Sequence, residues 1–171
     1  MKNTTPSPFK RLVLRAVLND VSPIVARVLS LPDDVEVAEL HDMFLSMLGW
    51  QHDLGFIICV HGQEFNSYQR RSRGKQLRDF PLRRQEKFLY ICNTLDLWEW
   101  EIRVLDIQEG TPDEREPECL DGQGAAPPES CGGPRSYRLM LKRQAAGPQI
   151  SDPVTVAASV KRLSQVYGDA L

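Results

Sequence analysis

The chain has 171 residues, of which 42% are hydrophobic and 26% charged, and a formal net charge of −2. This size and composition are those of one soluble globular domain with its own core. No apolar run approaches the roughly 20 residues of a membrane-spanning helix, and four scattered cysteines are too few for a disulfide scaffold. Because the first ten residues lack the apolar centre of a secretory signal, we expect a cytoplasmic protein with reduced thiols and no membrane contact.

Two β-rich runs, 12–18 and 24–31, open the chain with turn residues between them, and this pattern predicts an antiparallel pair of strands. A helix is predicted next, because Asp33 and Glu36 have the spacing of a capping box. Gly49 supplies the end of that helix. Its apolar stripe recurs at helical spacing and consists of Val37, Leu40, His41, Phe44, Met47 and Leu48.

Short strands are predicted in the middle of the chain, at 56–60, around Phe65, at 88–92 and at 98–107. The last run alternates apolar residues with charged ones, which is typical of a half-buried strand in an antiparallel sheet. Its apolar face consists of Trp98, Trp100, Ile102 and Val104.

A long segment rich in glycine, proline and cysteine, 117–133, is predicted to be a shaped loop, since glycine permits unusual backbone angles and proline fixes its own. Residues 135–144 predict a helix that Gly147-Pro148 closes. A last amphipathic helix is predicted over 152–168, with Val156, Val160, Leu163 and Tyr167 on one stripe.

This order of elements predicts an α+β fold in a single domain, with an antiparallel or mixed β-sheet. One helix follows the first hairpin, and further helices lie at the C-terminus. We divide the chain into an N-terminal tail at 1–10, an α+β domain at 11–146, and a C-terminal helix at 147–171 that packs on the domain.

Four motifs occur in a fixed order along most of the chain. The first two are Ser22-Pro23-Ile24 with Arg27, and Leu40-His41 with Gly49-Trp50. The third is Phe88-x-Tyr90 running into Asp96-x-Trp98. The fourth and most specific is Cys119-x-x-Gly122, then Pro127-Pro128-Glu129-x-Cys131-Gly132-Gly133, then Tyr137. Together the motifs resemble the plasmid pRiA4b ORF-3-like family, whose members sit on plasmids, insertion sequences and bacterial chromosomes.

The resemblance implies an α+β domain and implies little about activity. Some members are labelled resolvase-like, yet this chain has no nucleophilic serine motif for recombination. Three positions depart from the family pattern: Asn93 and Ser130 stand where the family has Asp, and Trp100 stands where it has His. A polar or metal site built from those groups would be largely lost here. Since Trp100 shares its strand face with Trp98, we expect packing to have replaced it.

Metal binding or hydrolysis is an alternative, with His41, Asp96, Cys119, Glu129 and Cys131 as the candidate residues. Structural zinc sites usually pair cysteines two to four residues apart, whereas Cys119 and Cys131 are twelve apart. The competing interpretation is a core histidine with buried thiols in a structural loop. We therefore predict no catalytic residue, no metal and no cofactor, and leave an enzymatic role open.

The strongest functional signal is the basic segment, residues 68–87, whose eight Arg and Lys against Asp79 and Glu86 give a net charge of +6. Residues 96–121 carry ten acidic residues against two arginines, a net charge of −8. Three interpretations of the basic segment are open: neutralisation of acidic residues within the fold, contact with nucleic acid, and contact with a protein partner. A pI of about 5.9 counts against strong non-specific DNA binding.

The leading hypothesis is a non-catalytic accessory protein of mobile-element type that contacts a protein or nucleoprotein partner through the basic segment. Direct nucleic-acid binding is a further alternative. The residues predicted to make the contact are Tyr68, Arg70, Arg71, Arg73, Lys75, Arg78, Arg83 and Arg84. Of the family-motif residues, we expect Trp50 to pack over the end of the first helix.

Overall fold

The computed structural model describes residues 8–145. Its strands are β1 (Lys10–Leu18), β2 (Ala26–Pro32), β3 (Phe56–Val60), β4 (Gln63–Asn66), β5 (Lys87–Cys92), β6 (Trp98–Glu109) and β7 (Glu118–Gln123). Its α-helices are α1 (Val37–Leu48) and α2 (Gly133–Ala145). The strands form one antiparallel sheet in the order β4-β3-β5-β6-β1-β2-β7, so the α+β class is confirmed. The helix predicted over 152–168 and the boundary after residue 146 lie outside the described residues.

The core lies between one face of the sheet and α1. Trp98, Trp100, Ile102 and Val104 of β6 are fully buried, as the alternation of that strand predicts. Phe44 of α1 packs on the sheet, with its ring 5.3 Å from the Trp100 ring. Burying each such side chain stabilises the fold by roughly 1.5–3 kcal/mol. Among the described residues, no helix is long and apolar enough to cross a membrane.

The start of α1 lies three residues later than the sequence predicts. The capping box is formed by Glu36 and Glu39, where the Glu39 carboxylate accepts the Glu36 backbone N–H at 2.7 Å. Asp33 instead accepts the backbone N–H of Lys10 at 3.0 Å. The two acidic pairs have the same spacing in sequence, so the pattern alone does not choose between them. At the other end of α1, Gly49 has φ 71°, the left-handed conformation that ends helices.

The prediction of a single loop over 117–133 is wrong in its first part, because Glu118–Gln123 form β7. This strand pairs with β2 at the edge of the sheet, and its register shifts at a bulge between Val28 and Leu29. Only Cys119 of the strand is buried. An edge strand with one buried residue has no apolar alternation to reveal it.

The basic segment contains two short 3₁₀ turns, Arg70–Ser72 and Leu77–Asp79. Backbone hydrogen bonds fix its second half beside the start of α1, with Lys75 C=O accepting the N–H of Val37 at 2.8 Å. Leu77 is 1% exposed and lies in the core. The segment is therefore anchored by apolar side chains while its cations face outward.

Candidate functional site

Half of the cations in the basic segment are neutralised by carboxylates of the same chain. Four ion pairs do this: Arg78 with Asp34 (2.9 Å), Arg84 with Asp106 (2.7 Å), Lys87 with Glu101 (2.6 Å) and Lys75 with Asp79 (3.9 Å). Neutralisation within the fold, one of the three interpretations of this segment, therefore accounts for these four residues.

The other four cations, Arg70, Arg71, Arg73 and Arg83, have no carboxylate within 4 Å in the part of the chain that the structure describes. Arg71 is nevertheless engaged, because its Nη2 donates to the Glu64 carbonyl at 2.6 Å. Its guanidinium also lies 5.3 Å from the centre of the Phe65 ring. Arg70, Arg73 and Arg83 are exposed, and of these Arg70 and Arg73 lie closest in sequence to Tyr68.

Tyr68 lies beside these arginines in sequence and is 76% exposed. Its hydroxyl is 3.3 Å from Thr94 Oγ1, in the turn between β5 and β6. Gly55 has φ 81°, a left-handed conformation that favours glycine, and a Cβ there would lie 2.7 Å from the Tyr68 hydroxyl. Leu95, in the same turn as Thr94, is also 76% exposed. We call Tyr68, Arg70, Arg73 and Leu95 the contact surface.

His41 is a hydrogen-bonded core histidine, which is one of the two interpretations that the sequence leaves open. Its side chain is 2% exposed, with Nδ1 2.6 Å from the Tyr90 hydroxyl and Nε2 3.0 Å from Asp53 Oδ1. Partial burial favours the neutral form of Asp53, but the Gly55 N–H and His41 outweigh it and lower the pKa of this carboxyl. The sequence pattern did not identify Tyr90 and Asp53 as partners, because both are distant from the helix stripe.

Hydrogen bonds of Trp50 and Glu129 link the fourth motif to the end of α1. The Trp50 indole N–H donates to the Pro127 carbonyl at 2.9 Å. Glu129 Oε1 accepts the backbone N–H groups of Gln51 and His52 at 3.0 and 2.6 Å. Burial opposes ionisation of Glu129, but these two amides and the His52 side chain lower its pKa overall. Glu129 therefore binds backbone rather than a second catalytic carboxyl.

Asp96 closes the turn between β5 and β6 with Asn93. The Asn93 Nδ2 donates to Asp96 Oδ2 at 3.0 Å, and Asn93 Oδ1 accepts the Asp96 N–H at 3.1 Å. An Asp at position 93, as in the family pattern, could not donate that first bond as a carboxylate. The start of α2 lies against the same turn, since a Cβ on Gly133 would lie 2.9 Å from the Asp96 carbonyl oxygen.

Trp98 and Trp100 are both fully buried in the core. The Trp98 ring lies 5.6 Å from that of Trp50 and 6.1 Å from that of Tyr137. Within residues 8–145, neither indole N–H has a hydrogen-bond partner. An aromatic ring therefore fills the position where the family pattern has His, as the packing interpretation expects.

The candidate cysteines have separate surroundings, and all four cysteines are free thiols. The Cys119 thiol lies 3.5 Å from the Asp121 carbonyl oxygen, and burial raises its pKa despite nearby Arg27. Burial also raises the pKa of Cys131. Across the described range, no three His, Cys, Asp or Glu side chains are grouped so that they could hold a metal ion.

Comparison with known proteins gives a family and a fold. The family model described as plasmid pRiA4b ORF-3-like protein matches residues 10–154, which confirms the resemblance. No curated protein matches the chain. Among solved structures, the crystal structure of a protein of unknown function from Methanosarcina mazei Go1 is similar, with a TM-score of 0.71 and 19% identity over 95% of this chain and 92% of that chain. At this identity the likeness shows the fold alone.

Proposed function

We propose that this chain, which belongs to the plasmid pRiA4b ORF-3-like family, is a non-catalytic accessory protein of mobile-element type. It contacts an acidic protein or nucleoprotein partner through the basic segment. The observation that carries this proposal is the contact surface, where Arg70 and Arg73 lie in the same segment as the exposed ring of Tyr68. Arginine and tyrosine are enriched among residues that dominate binding energy at interfaces.

The surroundings of the family-motif residues support a non-catalytic role. His41 has both ring nitrogens engaged, Glu129 holds two backbone amides, and Asp96 closes a turn. Each group therefore stabilises the fold at the position where the enzymatic alternative needs a free acid, base or ligand.

The direct test reverses the charge of the contact surface with R70E/R73E. The control is R135E/R138E, which reverses two exposed arginines on α2. Immobilised wild-type protein and both variants are used to capture partners from a host lysate, with quantitative mass spectrometry as the readout. We expect the specific partner to be retained by the control and depleted at least tenfold by R70E/R73E.

Salt gives an independent check on the same complex. Binding between exposed charges weakens as ionic strength rises, so recovery of the partner should fall between about 50 and 500 mM salt. A complex that neither salt nor R70E/R73E weakens would contradict the proposal.

Direct nucleic-acid binding is the second candidate, and the exposed Tyr68 ring favours it because an aromatic ring can stack on an unpaired base. The test is titration of a fluorescent single-stranded oligonucleotide with wild type, Y68A and R70E/R73E. For this candidate, log K falls linearly with log salt concentration, and Y68A costs about 1–3 kcal/mol of binding. Nuclease treatment of the lysate then separates a nucleic-acid contact from a protein contact.

A further inference from the structure

An open groove of about 170 Å³ lies where β1 and β6 meet the second half of the basic segment. Leu12 of β1 and Ile107 of β6 are directly opposite each other in the sheet and form one side. Leu77, Phe80 and Leu82 of the basic segment form the other side. Leu12 and Leu77 are buried, whereas Leu82 and Ile107 are half-buried. A group entering the groove would therefore cover mainly Leu82 and Ile107.

The rim of the groove carries Lys10, Arg78 and Asp33. The charge of Asp33 is already compensated, because Oδ1 accepts the Lys10 backbone N–H at 3.0 Å and lies 3.4 Å from Arg78 Nη2. Arg78 uses Nη2 for its ion pairs with Asp33 and Asp34, which leaves Nε and Nη1 able to donate. Among residues 8–145, no carboxylate lies within 4 Å of Lys10 Nζ. Because Asp33 and Asp34 already neutralise Arg78, the uncompensated charge of the rim is that of Lys10, which favours an incoming anion over a cation.

The volume limits what can enter. Pockets for drug-sized ligands measure roughly 300–1,000 Å³, so a groove of about 170 Å³ fits one branched or aromatic side chain. We propose that the groove receives a single apolar side chain from an acidic segment of the partner, with a neighbouring carboxylate of that segment paired with Lys10 and accepting a hydrogen bond from Arg78. An anchor of this kind in a small pocket is typical of an interface hot spot. This inference rests on the proposed function and names the chemistry of its partner.

The test uses matched peptides as probes. One acetylated peptide has a Leu flanked on both sides by acidic residues, a second has Ser in place of Leu, and a third has Leu with basic flanks. Fluorescence anisotropy measures their affinities for wild-type protein. Because burying a leucine side chain is favourable, we expect the acidic Leu peptide to bind about tenfold or more tightly than the Ser peptide. We expect the basic peptide to bind weakest.

Two variants test the groove. L82W places a larger ring over it, and K10E reverses the charge at its exposed rim, so K10E remains informative if L82W fails to fold. The control is L139W, on a half-exposed leucine of α2. We expect L82W to abolish the preference for Leu over Ser, K10E to weaken the acidic peptides, and L139W to change neither. Equal binding of the Leu and Ser peptides to wild type, or an unchanged preference in L82W, would overturn the inference.

R70E/R73E separates the failure of this inference from the failure of the proposed function. If R70E/R73E weakens the acidic peptides while L82W leaves the preference for Leu unchanged, the groove inference is wrong and the proposed function stands. If L82W removes the preference for Leu while R70E/R73E binds the acidic peptides as wild type does, the groove inference is supported. The proposal that Arg70 and Arg73 contact the acidic partner is then contradicted.

Discussion

The family-motif region and the basic segment use polar residues in opposite ways. In the motif region, His41 bonds to Tyr90 and Asp53, and Glu129 bonds to backbone amides beside Trp50. In the basic segment, cations project from an apolar anchor, and only half of them have carboxylate partners among the described residues. The difference teaches that a motif can identify a family because it holds the fold, while the exposed cations without carboxylate partners lie elsewhere in the described part of the chain.

The largest expected difference between the two regions is in their contribution to the free energy of unfolding. Trp98 is fully buried between Trp50 and Tyr137, so W98A should lower the free energy of unfolding by about 3–5 kcal/mol. R73A, in the basic segment, should change it by less than about 0.5 kcal/mol. Urea denaturation followed by circular dichroism measures both. Similar values for the two variants would show that the regions do not differ in this way.

The same chemical change in both regions sharpens the comparison. Y90F removes a buried hydroxyl and leaves His41 Nδ1 without its partner at 2.6 Å. We expect a loss of about 1–3 kcal/mol in the free energy of unfolding, because a buried polar atom is left unsatisfied. Y68F removes an exposed hydroxyl and should cost less than about 0.5 kcal/mol. If Y90F and Y68F lowered the free energy of unfolding equally, the result would indicate that water can hydrogen-bond to His41 in place of Tyr90.

Acid should remove the contribution of Glu129. Its pKa is lowered in the folded protein from an ordinary value of 4.5, so its stabilisation is complete above that pH and is lost as the pH falls through the folded pKa. We expect E129Q to be less stable than wild type by about 1 kcal/mol at neutral pH, and the gap to vanish in acid. The measurement is urea denaturation from about pH 3 to 7. E64Q, on the exposed edge strand, is the control, and a gap that persists unchanged in acid would contradict this role of Glu129.

The sequence predicts those parts of the fold whose burial alternates regularly. The first seven residues of strand β6 alternate regularly between buried and half-buried, and most apolar residues of helix α1 lie on its buried face, so their patterns identify them. Strand β7 buries only Cys119 and has no such alternation, so its sequence predicts a loop. Sequence also locates the basic segment by its charge. It does not show which cations are neutralised, because Asp34, Asp106 and Glu101 reach them only when separate parts of the chain come together in the fold.

Two elements of the candidate site have no signal in the sequence. Leu95 is exposed in a turn, where an apolar residue fits no period. The groove is formed by Leu12 and Ile107, which antiparallel pairing of β1 with β6 brings together across most of the domain. A charge count therefore indicates the region of the site, and only the folded chain gives its shape.

Strand β4 is an edge strand of the sheet, and Arg71 protects part of that edge. Its guanidinium occupies the Glu64 carbonyl, a main-chain acceptor that another polypeptide could otherwise use to extend the sheet. Natural proteins commonly protect such borders with charge to prevent aggregation. Arg71 thus covers one main-chain acceptor of an edge strand, which works against pairing of that strand with a second polypeptide.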